Sequence, residues 1–190
     1  MILNYFKKNK KFGLSLGFTV LESIVAIFVL SVAISGAFTA VQTSLSQATI
    51  SKDEVKAFYL AQEAVEIIRN KRDANQLSRI SGVSTSWLSG FAENASDPCY
   101  FGKVCRVESS LPTTFVTCGS SWDTCPNLRQ DSSSYLIGYN GGWGLTNFKR
   151  EIMMGAPSAD EIAVVVRVTW TKGARTYEFK AKTHMFNWVQ

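Results

Sequence analysis

A long stretch without charge, from Ser23 to Ser51, constrains this chain more than any other feature of its sequence. The apolar part, Phe18–Val41, holds a single charged residue, Glu22. A helix over Phe18–Val41 would be about 36 Å long at about 1.5 Å per residue, and the hydrocarbon core of a bilayer is about 30 Å thick. The sequence therefore predicts a membrane-spanning helix near the amino terminus.

The helical pattern continues beyond this apolar stretch. Apolar residues recur three and four positions apart with charged residues beside them, which is typical of an amphipathic helix. They are Val55, Phe58, Ala61, Val65 and Ile68, widened by Leu60, Ala64 and Ile67. No proline precedes Pro98. We therefore predict one helix over residues 18–72, with a first half that spans the membrane and an amphipathic second half.

Two alternating segments near the carboxyl terminus predict a β-hairpin. Ile162–Thr171 and Thr176–Met185 are joined by Lys172–Ala174, and a third strand is expected around Phe148–Met154. Residues 73–129 are polar and irregular, so we expect loops there with short strands at most. The apolar face of the hairpin needs a cover, and the amphipathic half of the helix is available. The predicted fold class is α+β, a long amino-terminal helix packed on a carboxy-terminal antiparallel sheet.

The positive charge of the chain is concentrated ahead of the apolar stretch. The formal net charge is +5, and the first 17 residues contain four lysines and no acid: Lys7, Lys8, Lys10 and Lys11. The rest of the chain is close to neutral, which does not favour a nucleic-acid-binding surface. Because lysines beside a membrane span stay in the cytoplasm, we expect the carboxy-terminal part to lie outside.

Four cysteines lie close together in the irregular region, namely Cys99, Cys105, Cys118 and Cys125. Their spacing fits a zinc site poorly, so we expect no metal and favour disulfides over free thiols. Four cysteines allow three pairings. We expect Cys99–Cys105 and Cys118–Cys125, each of which closes a short loop. Disulfides form in oxidising compartments, which again indicates export.

The start of the apolar stretch allows three interpretations. A signal peptide could be cut at the small residues Ser35–Ala37, but the apolar run continues past that site and contains an acid. An uncleaved anchor is the second interpretation. The third begins with a basic leader, KKNKKFGLSLG, which ends in Gly17 and is followed by Phe18 and, four residues later, Glu22.

The segment GFTVLE, residues 17–22, resembles the processing site of type IV pilins and of the pseudopilins of type II secretion systems. The order of a long helix, loops and an antiparallel hairpin is also similar to that family, and "FKREI" and "FNWV" resemble segments of minor pilins in particular. The resemblance implies a leader over residues 1–17, a transmembrane and amphipathic helix over 18–72, and a pilin-like globular domain over 73–190. It also implies that a prepilin peptidase cuts between Gly17 and Phe18 and methylates the new amino terminus.

Glu22 has a physical role in this interpretation. Positions i and i+4 share a helix face, so the acid and the new amine of Phe18 can meet. A carboxylate without a partner in lipid costs a few kcal/mol, about the insertion penalty of a charged residue. Between packed helices the same acid can accept the amine of a neighbouring subunit and set the register of assembly. The simpler interpretation is a tolerated acid at the membrane surface.

The function that follows is a structural subunit, a minor pilin or pseudopilin, which resides in the cytoplasmic membrane and later in an extracellular filament. Its expected partners are the prepilin peptidase, other pilin subunits and the membrane, with no cofactor. The alternative is a membrane-tethered exported adhesin or DNA-uptake binding module. An enzyme is not expected, since the single histidine, His184, has no recognisable nucleophile and base around it. The segment YNGGWGL lacks the Lys-Ser/Thr of a phosphate loop, and we expect a flexible surface loop there.

Overall fold

The computed structural model describes residues 17–108 and 114–188, so the predicted leader lies outside the described residues except for Gly17. The described part of the chain contains one helix and seven strands. Their bounds are α1 Val20–Ile80, β1 Val104–Glu108, β2 Thr114–Gly119, β3 Asn127–Gln130, β4 Ile137–Gly138, β5 Gly144–Ser158, β6 Glu161–Lys172 and β7 Arg175–Phe186.

The chain divides into two compact units, the first ending at Thr49 and the second beginning at Ile50. The first unit contains the amino-terminal part of α1, which is long and apolar enough to cross a membrane. No residue of its most apolar window is buried among the described residues. The second unit contains the remainder of α1 and all the strands described.

The strands form one antiparallel sheet in which β5 is central. Along one side β5 pairs with β6, which pairs with β7. Along its other side β5 pairs with β3 and then with β1, and these pair with β4 and β2. The predicted β6–β7 hairpin is confirmed, with a tight turn after Lys172. Gly173 has a φ of 60° in this turn, a conformation that glycine adopts without steric cost.

The second half of α1 packs on this sheet, as the α+β prediction requires. Ala57, Ala61 and Ala64 are fully buried, and their small side chains form the face of the helix that the core covers. The predicted apolar face of β6 is equally buried, through Val164, Val166, Val168 and Trp170. The predicted fold class is therefore confirmed.

The buried helix face begins later than the sequence pattern indicated. Val55 and Phe58 were expected to cover the sheet, but they are 55% and 42% exposed. Phe58 contacts the outer strand β7, where its ring lies 5.8 Å from that of Phe179. Burial starts at Ala57 because the helix meets the sheet on the face defined by its small residues.

The helix also extends beyond its predicted end near residue 72, since α1 continues to Ile80. Two polar residues, Asn75 and Gln76, interrupt the apolar pattern there and yet are buried. Asn75 Nδ2 donates to the carbonyls of Trp87 and Ser89, and Gln76 Nε2 donates to Asn187 Oδ1 at 3.0 Å. The loop after α1 and the segment after β7 provide these acceptors, so polar side chains can be buried on the inner face of the helix.

Candidate functional site

The predicted processing and assembly residues surround the amino terminus of α1. Gly17, Phe18 and Thr19 precede the helix and are exposed. Thr19 is the N-cap, since its Oγ1 accepts a hydrogen bond from the backbone N–H of Glu22 at 3.2 Å. Thr-x-x-Glu is the capping-box pattern, a signal that the sequence analysis did not use. Glu22 thus lies in the first turn, where the helix dipole favours a negative charge.

Gly17 is not required by the packing of the described residues. A Cβ atom added at this position would meet no atom within 4 Å. No φ in the left-handed region demands a glycine here either. The fold therefore does not explain this glycine.

Glu22 differs from every other polar side chain of residues 18–41. The hydroxyls of Ser31, Ser35 and Thr39 each donate to the carbonyl four residues earlier, at 2.7 to 2.9 Å, and Ser23 does the same. Such bonds satisfy hydroxyl groups in a medium without water. The exposed Glu22 carboxylate has no hydrogen-bond or ion-pair partner among the described residues. Any partner of this carboxylate would therefore lie outside the described residues.

The four cysteines form two disulfides in the second unit. Cys99 is bonded to Cys105 and Cys118 to Cys125, the pairing expected from the sequence, with Cα–Cα distances of 5.2 and 4.9 Å. The first bridge is fully buried and ties the segment after α1 to β1. The second closes the loop between β2 and β3. The structure thus brings the cysteines together in pairs, while Gly17, Phe18 and Glu22 belong to the first unit.

A buried carboxylate holds the Cys118–Cys125 loop on the sheet. Glu151 of β5 is fully buried, and its two oxygens accept the backbone N–H groups of Asp123 and Cys125, both at 3.0 Å. Arg167, its register partner on β6, donates to it at 2.8 Å. Arg167 also pairs with Asp123 at 2.6 Å and lies 4.8 Å from the ring of Trp122. The hydrogen bond from Arg167 lowers the pKa of Asp123.

No sequence pattern indicated these groups, although Glu151 and Arg167 are opposite charges on two predicted strands. Only the strand register places them side by side. The structure also assigns Trp87, which is 6% exposed, to the core. His184 lies on the exposed face of β7 beside Glu161, whose carboxylate is 2.5 Å from its Nδ1.

The second unit has a groove of about 930 Å³ between α1 and the segment that follows β3. We call it the aromatic groove. One wall is the helix face formed by Lys52, Val55, Lys56, Tyr59, Leu60 and Glu63. The other wall contains Glu108, Tyr135, Leu136, Ile137, Gly138, Tyr139, Asn140 and Trp143. No sequence motif indicated it, because its walls are distant in the chain.

The far wall of the aromatic groove is held by specific contacts. The Tyr139 hydroxyl donates to the carbonyl of Arg150 at 3.0 Å, and burial raises the pKa of this tyrosine. The Trp143 ring lies over Gly138, where an added Cβ would come within 3.2 Å of it. Arg129 donates to the carbonyls of Gly141 and Trp143. The segment YNGGWGL is therefore anchored at both of its aromatic residues.

No group of three or more metal-ligating side chains occurs within residues 17–108 and 114–188. Comparison of the chain with models of protein families, with curated proteins and with solved structures gave no significant match.

Proposed function

We propose that this chain is a structural subunit, a minor pilin or pseudopilin, of a type IV pilus or a related filament. The observation that carries the proposal is the Glu22 carboxylate, an exposed acid that has no partner among residues 17–108 and 114–188, in an apolar helix whose hydroxyl groups are hydrogen-bonded. An acid in lipid requires compensation. The amine of a processed neighbouring subunit is a partner of the correct charge.

Processing at Gly17 agrees with the local geometry. A cut after Gly17 would leave Phe18 as the first residue, directly before the N-cap Thr19, so the helix cap would survive intact. Since the fold does not require Gly17, recognition of this residue by a processing enzyme explains its presence. In the proposal that enzyme is a prepilin peptidase of the cytoplasmic membrane.

The helix is suited to two environments in succession. Large apolar side chains of its first part are more than half exposed, among them Phe18, Leu21, Phe28 and Phe38. A monomer in water does not tolerate such a surface. We propose that it lies in the cytoplasmic membrane before assembly, with the disulfide-bonded domain outside, and packs against related helices in the extracellular filament.

The processing step is tested by intact mass and amino-terminal sequencing of the protein recovered from cells. We expect a chain that begins at Phe18 and carries one added methyl group. Gly17→Val should block the cut and leave the leader attached. A mature chain that begins at Phe38, or a wild-type chain that retains Met1, contradicts the proposal.

The assembly role is tested by Glu22→Gln, which preserves size and removes the charge. We expect normal insertion and cleavage but strongly reduced recovery in sheared filaments, because the neighbour's amine loses its partner. Glu54→Gln is the matched control, since Glu54 is an exposed glutamate of the same helix beyond the uncharged stretch. Equal recovery of both variants would leave Glu22 as a tolerated surface acid.

The alternative function, an exported adhesin or DNA-uptake module on the same anchor, is favoured only by the aromatic groove, which is large enough for a ligand. The Glu22 variant separates the two. A tethered binding module should retain its membrane level and surface exposure whether or not Glu22 is charged, and should never appear in sheared filaments.

A further inference from the structure

The loop in the far wall of the aromatic groove contains the only asparagine of the chain that is followed by glycine, Asn140 before Gly141. In such a pair the backbone nitrogen of the glycine can reach the side-chain carbonyl carbon of the asparagine, because glycine has no Cβ to obstruct the close approach. Both residues are exposed, so water and hydroxide have access to them. The pair is therefore a candidate for chemistry within the chain itself.

The side-chain amide of Asn140 is polarised by its own loop. Its Oδ1 accepts a hydrogen bond from the backbone N–H of Gly142 at 3.1 Å. A donor at this oxygen withdraws electron density from Cγ and stabilises the negative charge that develops on the oxygen when a nucleophile attacks. Nδ2, which would leave as ammonia, has no hydrogen bond with any residue of the described part of the chain.

The peptide group between Asn140 and Gly141 is polarised as well. Its carbonyl oxygen accepts the backbone N–H of Trp143 at 3.1 Å, which makes the N–H of the same peptide group more acidic. The Arg129 guanidinium donates to the next carbonyl, that of Gly141, at 3.2 Å and places a positive charge beside the nitrogen. Among the described residues, the Gly141 N–H has no acceptor, so its proton is accessible to base.

Packing requires glycine at neither position of the loop. A Cβ atom added at Gly141 would meet nothing within 4 Å, and one added at Gly142 would meet only Asn140 Oδ1, at an ordinary 3.7 Å. Neither residue has a φ in the left-handed region. Alanine at either position is therefore compatible with the fold, and the two positions can be compared directly.

We propose that Asn140 is a site of spontaneous deamidation. Hydroxide removes the Gly141 amide proton, and the nitrogen attacks Cγ of Asn140. A new N–Cγ bond forms, the Cγ–Nδ2 bond breaks, and Nδ2 takes a proton from water and leaves as ammonia. One water molecule then opens the five-membered succinimide ring at either carbonyl. The products are aspartate and isoaspartate, and the sequence of steps needs no oxidant or reductant.

The isoaspartyl product alters the wall of the groove. The chain then continues through the former side-chain carbonyl, so the loop gains one methylene group and the former backbone carbonyl of residue 140 becomes a free carboxylate. The hydrogen bond from the Trp143 N–H to that carbonyl is part of the turn that places the Trp143 ring over Gly138. Deamidation therefore adds a negative charge and loosens Trp143. This inference goes beyond the proposed function and depends on neither membrane insertion nor filament assembly.

The first experiment measures the conversion directly. The full-length protein is incubated in detergent at neutral and at mildly alkaline pH, and its peptides are mapped by chromatography and mass spectrometry. We expect conversion at Asn140, faster at the higher pH because hydroxide starts the reaction. Asn94, an exposed asparagine followed by alanine, is the control within the same chain and should keep its amide. No conversion at Asn140, or equal conversion of both asparagines, would overturn the proposal.

Two glycine variants test the attacking nitrogen. Gly141→Ala places a methyl group beside that nitrogen and should slow the conversion about tenfold, which corresponds to about 1.4 kcal/mol in the activation free energy. Gly142→Ala is the matched control, since it adds the same group one residue later and retains the N–H that donates to Oδ1. It should convert at the wild-type rate. Equal rates in the two variants would contradict attack by the Gly141 nitrogen.

The second experiment tests the effect on the wall by hydrogen exchange and mass spectrometry, with aspartyl and isoaspartyl peptides resolved by chromatography. We expect faster exchange of the Trp143 amide in the isoaspartyl form of the incubated protein. Asn140→Asp is the comparison, because it carries the same charge on an unaltered backbone and should retain the wild-type protection. Equal protection of Trp143 in the two forms would overturn the proposed loosening of the wall.

Discussion

At the scale of single residues, Asp123 shows how the molecule places a charge to hold a loop. Its φ of 72° lies in the left-handed region, which aspartate and asparagine tolerate better than most residues. Its carboxylate pairs with Arg167, which also neutralises the fully buried Glu151. Removal of one partner would leave a buried charge, so the three groups act as a unit.

Asp123 predicts a specific dependence of stability on pH. The hydrogen bond from Arg167 lowers its pKa below the ordinary 3.8, so its stabilising contribution is complete above that value and is lost as the pH falls through the lowered pKa. We expect Asp123→Asn to unfold at a lower denaturant concentration than wild type at pH 7. The difference should shrink below pH 3.8.

The measurement is denaturant unfolding of the full-length protein in detergent across pH 7 to about 2.5. Asparagine retains the left-handed conformation, so the variant isolates the charge. Ser132→Ala, at an exposed position in another loop, is the control for a loop substitution without an ion pair. A difference between wild type and Asp123→Asn that is the same at every pH would show that the ion pair contributes nothing.

At the scale of elements, the two disulfides have different structural roles although they close loops of similar length. Their sequence separations are 6 and 7, so loop closure contributes about 2–3 kcal/mol to each in the chain-entropy account. Cys99–Cys105 is part of the hydrophobic core. Cys118–Cys125 instead keeps a loop in place for the backbone donors that Glu151 requires.

Replacing Cys118 and Cys125 by alanine should therefore have a local effect in addition to the general loss of about 2–3 kcal/mol. We expect the amide hydrogens of Asp123 and Cys125 to exchange much faster, because their hydrogen bonds to Glu151 depend on the closed loop. Hydrogen exchange followed by mass spectrometry measures this.

The matched variant replaces Cys99 and Cys105 and should leave the 119–125 segment protected. Equal protection of that segment in both variants would mean that the bridge does not hold the loop. Peptide mapping without reduction checks the pairing itself, and a peptide joining Cys105 to Cys118 would contradict it.

At the scale of the whole molecule, Asn187 near the carboxyl terminus connects elements that are far apart in sequence. Its Oδ1 accepts hydrogen bonds from Gln76 and Arg79 at the end of α1. Its Nδ2 and backbone N–H donate to Asp160 in the turn between β5 and β6. One side chain thus joins the helix end to the sheet.

Asn187→Ala should lower the free energy of unfolding by about 1–3 kcal/mol, because buried Gln76 loses its acceptor. We also expect faster amide exchange in residues 76–80 and unchanged exchange in β1. Asn70→Ala, at an exposed position of the same helix, is the control and should change neither quantity. Uniformly faster exchange across the sheet would contradict a local clamp.

Much of this architecture was predictable because it depends on neighbours along the chain. Alternation over Ile162–Thr171 identifies a strand whatever it packs against, and a glycine between two such segments identifies the hairpin. The spacing of the cysteines favours short loops for the same reason. The candidate processing residues, Gly17, Phe18 and Glu22, were also identified from their neighbours along the chain, although their role stays a proposal.

Features that depend on distant contacts were not accessible from the pattern. The polar residues Asn75 and Gln76 interrupt the apolar pattern and so predict that the helix ends before them. The helix continues because Trp87, Ser89 and Asn187 provide acceptors for their side chains. Likewise, the spacing predicts that Val55 is a core residue, but the sheet packs against the helix face that contains Ala57, Ala61 and Ala64.

The sequence by itself determined the order of elements, the apolar helix with its single acid, and the hairpin, since each arises from periodicity and composition within one segment. Tertiary structure alone decided the burial of Glu151 beside Arg167, the true end of α1 and the aromatic groove. These require a strand register and a packing angle, which result from the summed contacts of the whole core.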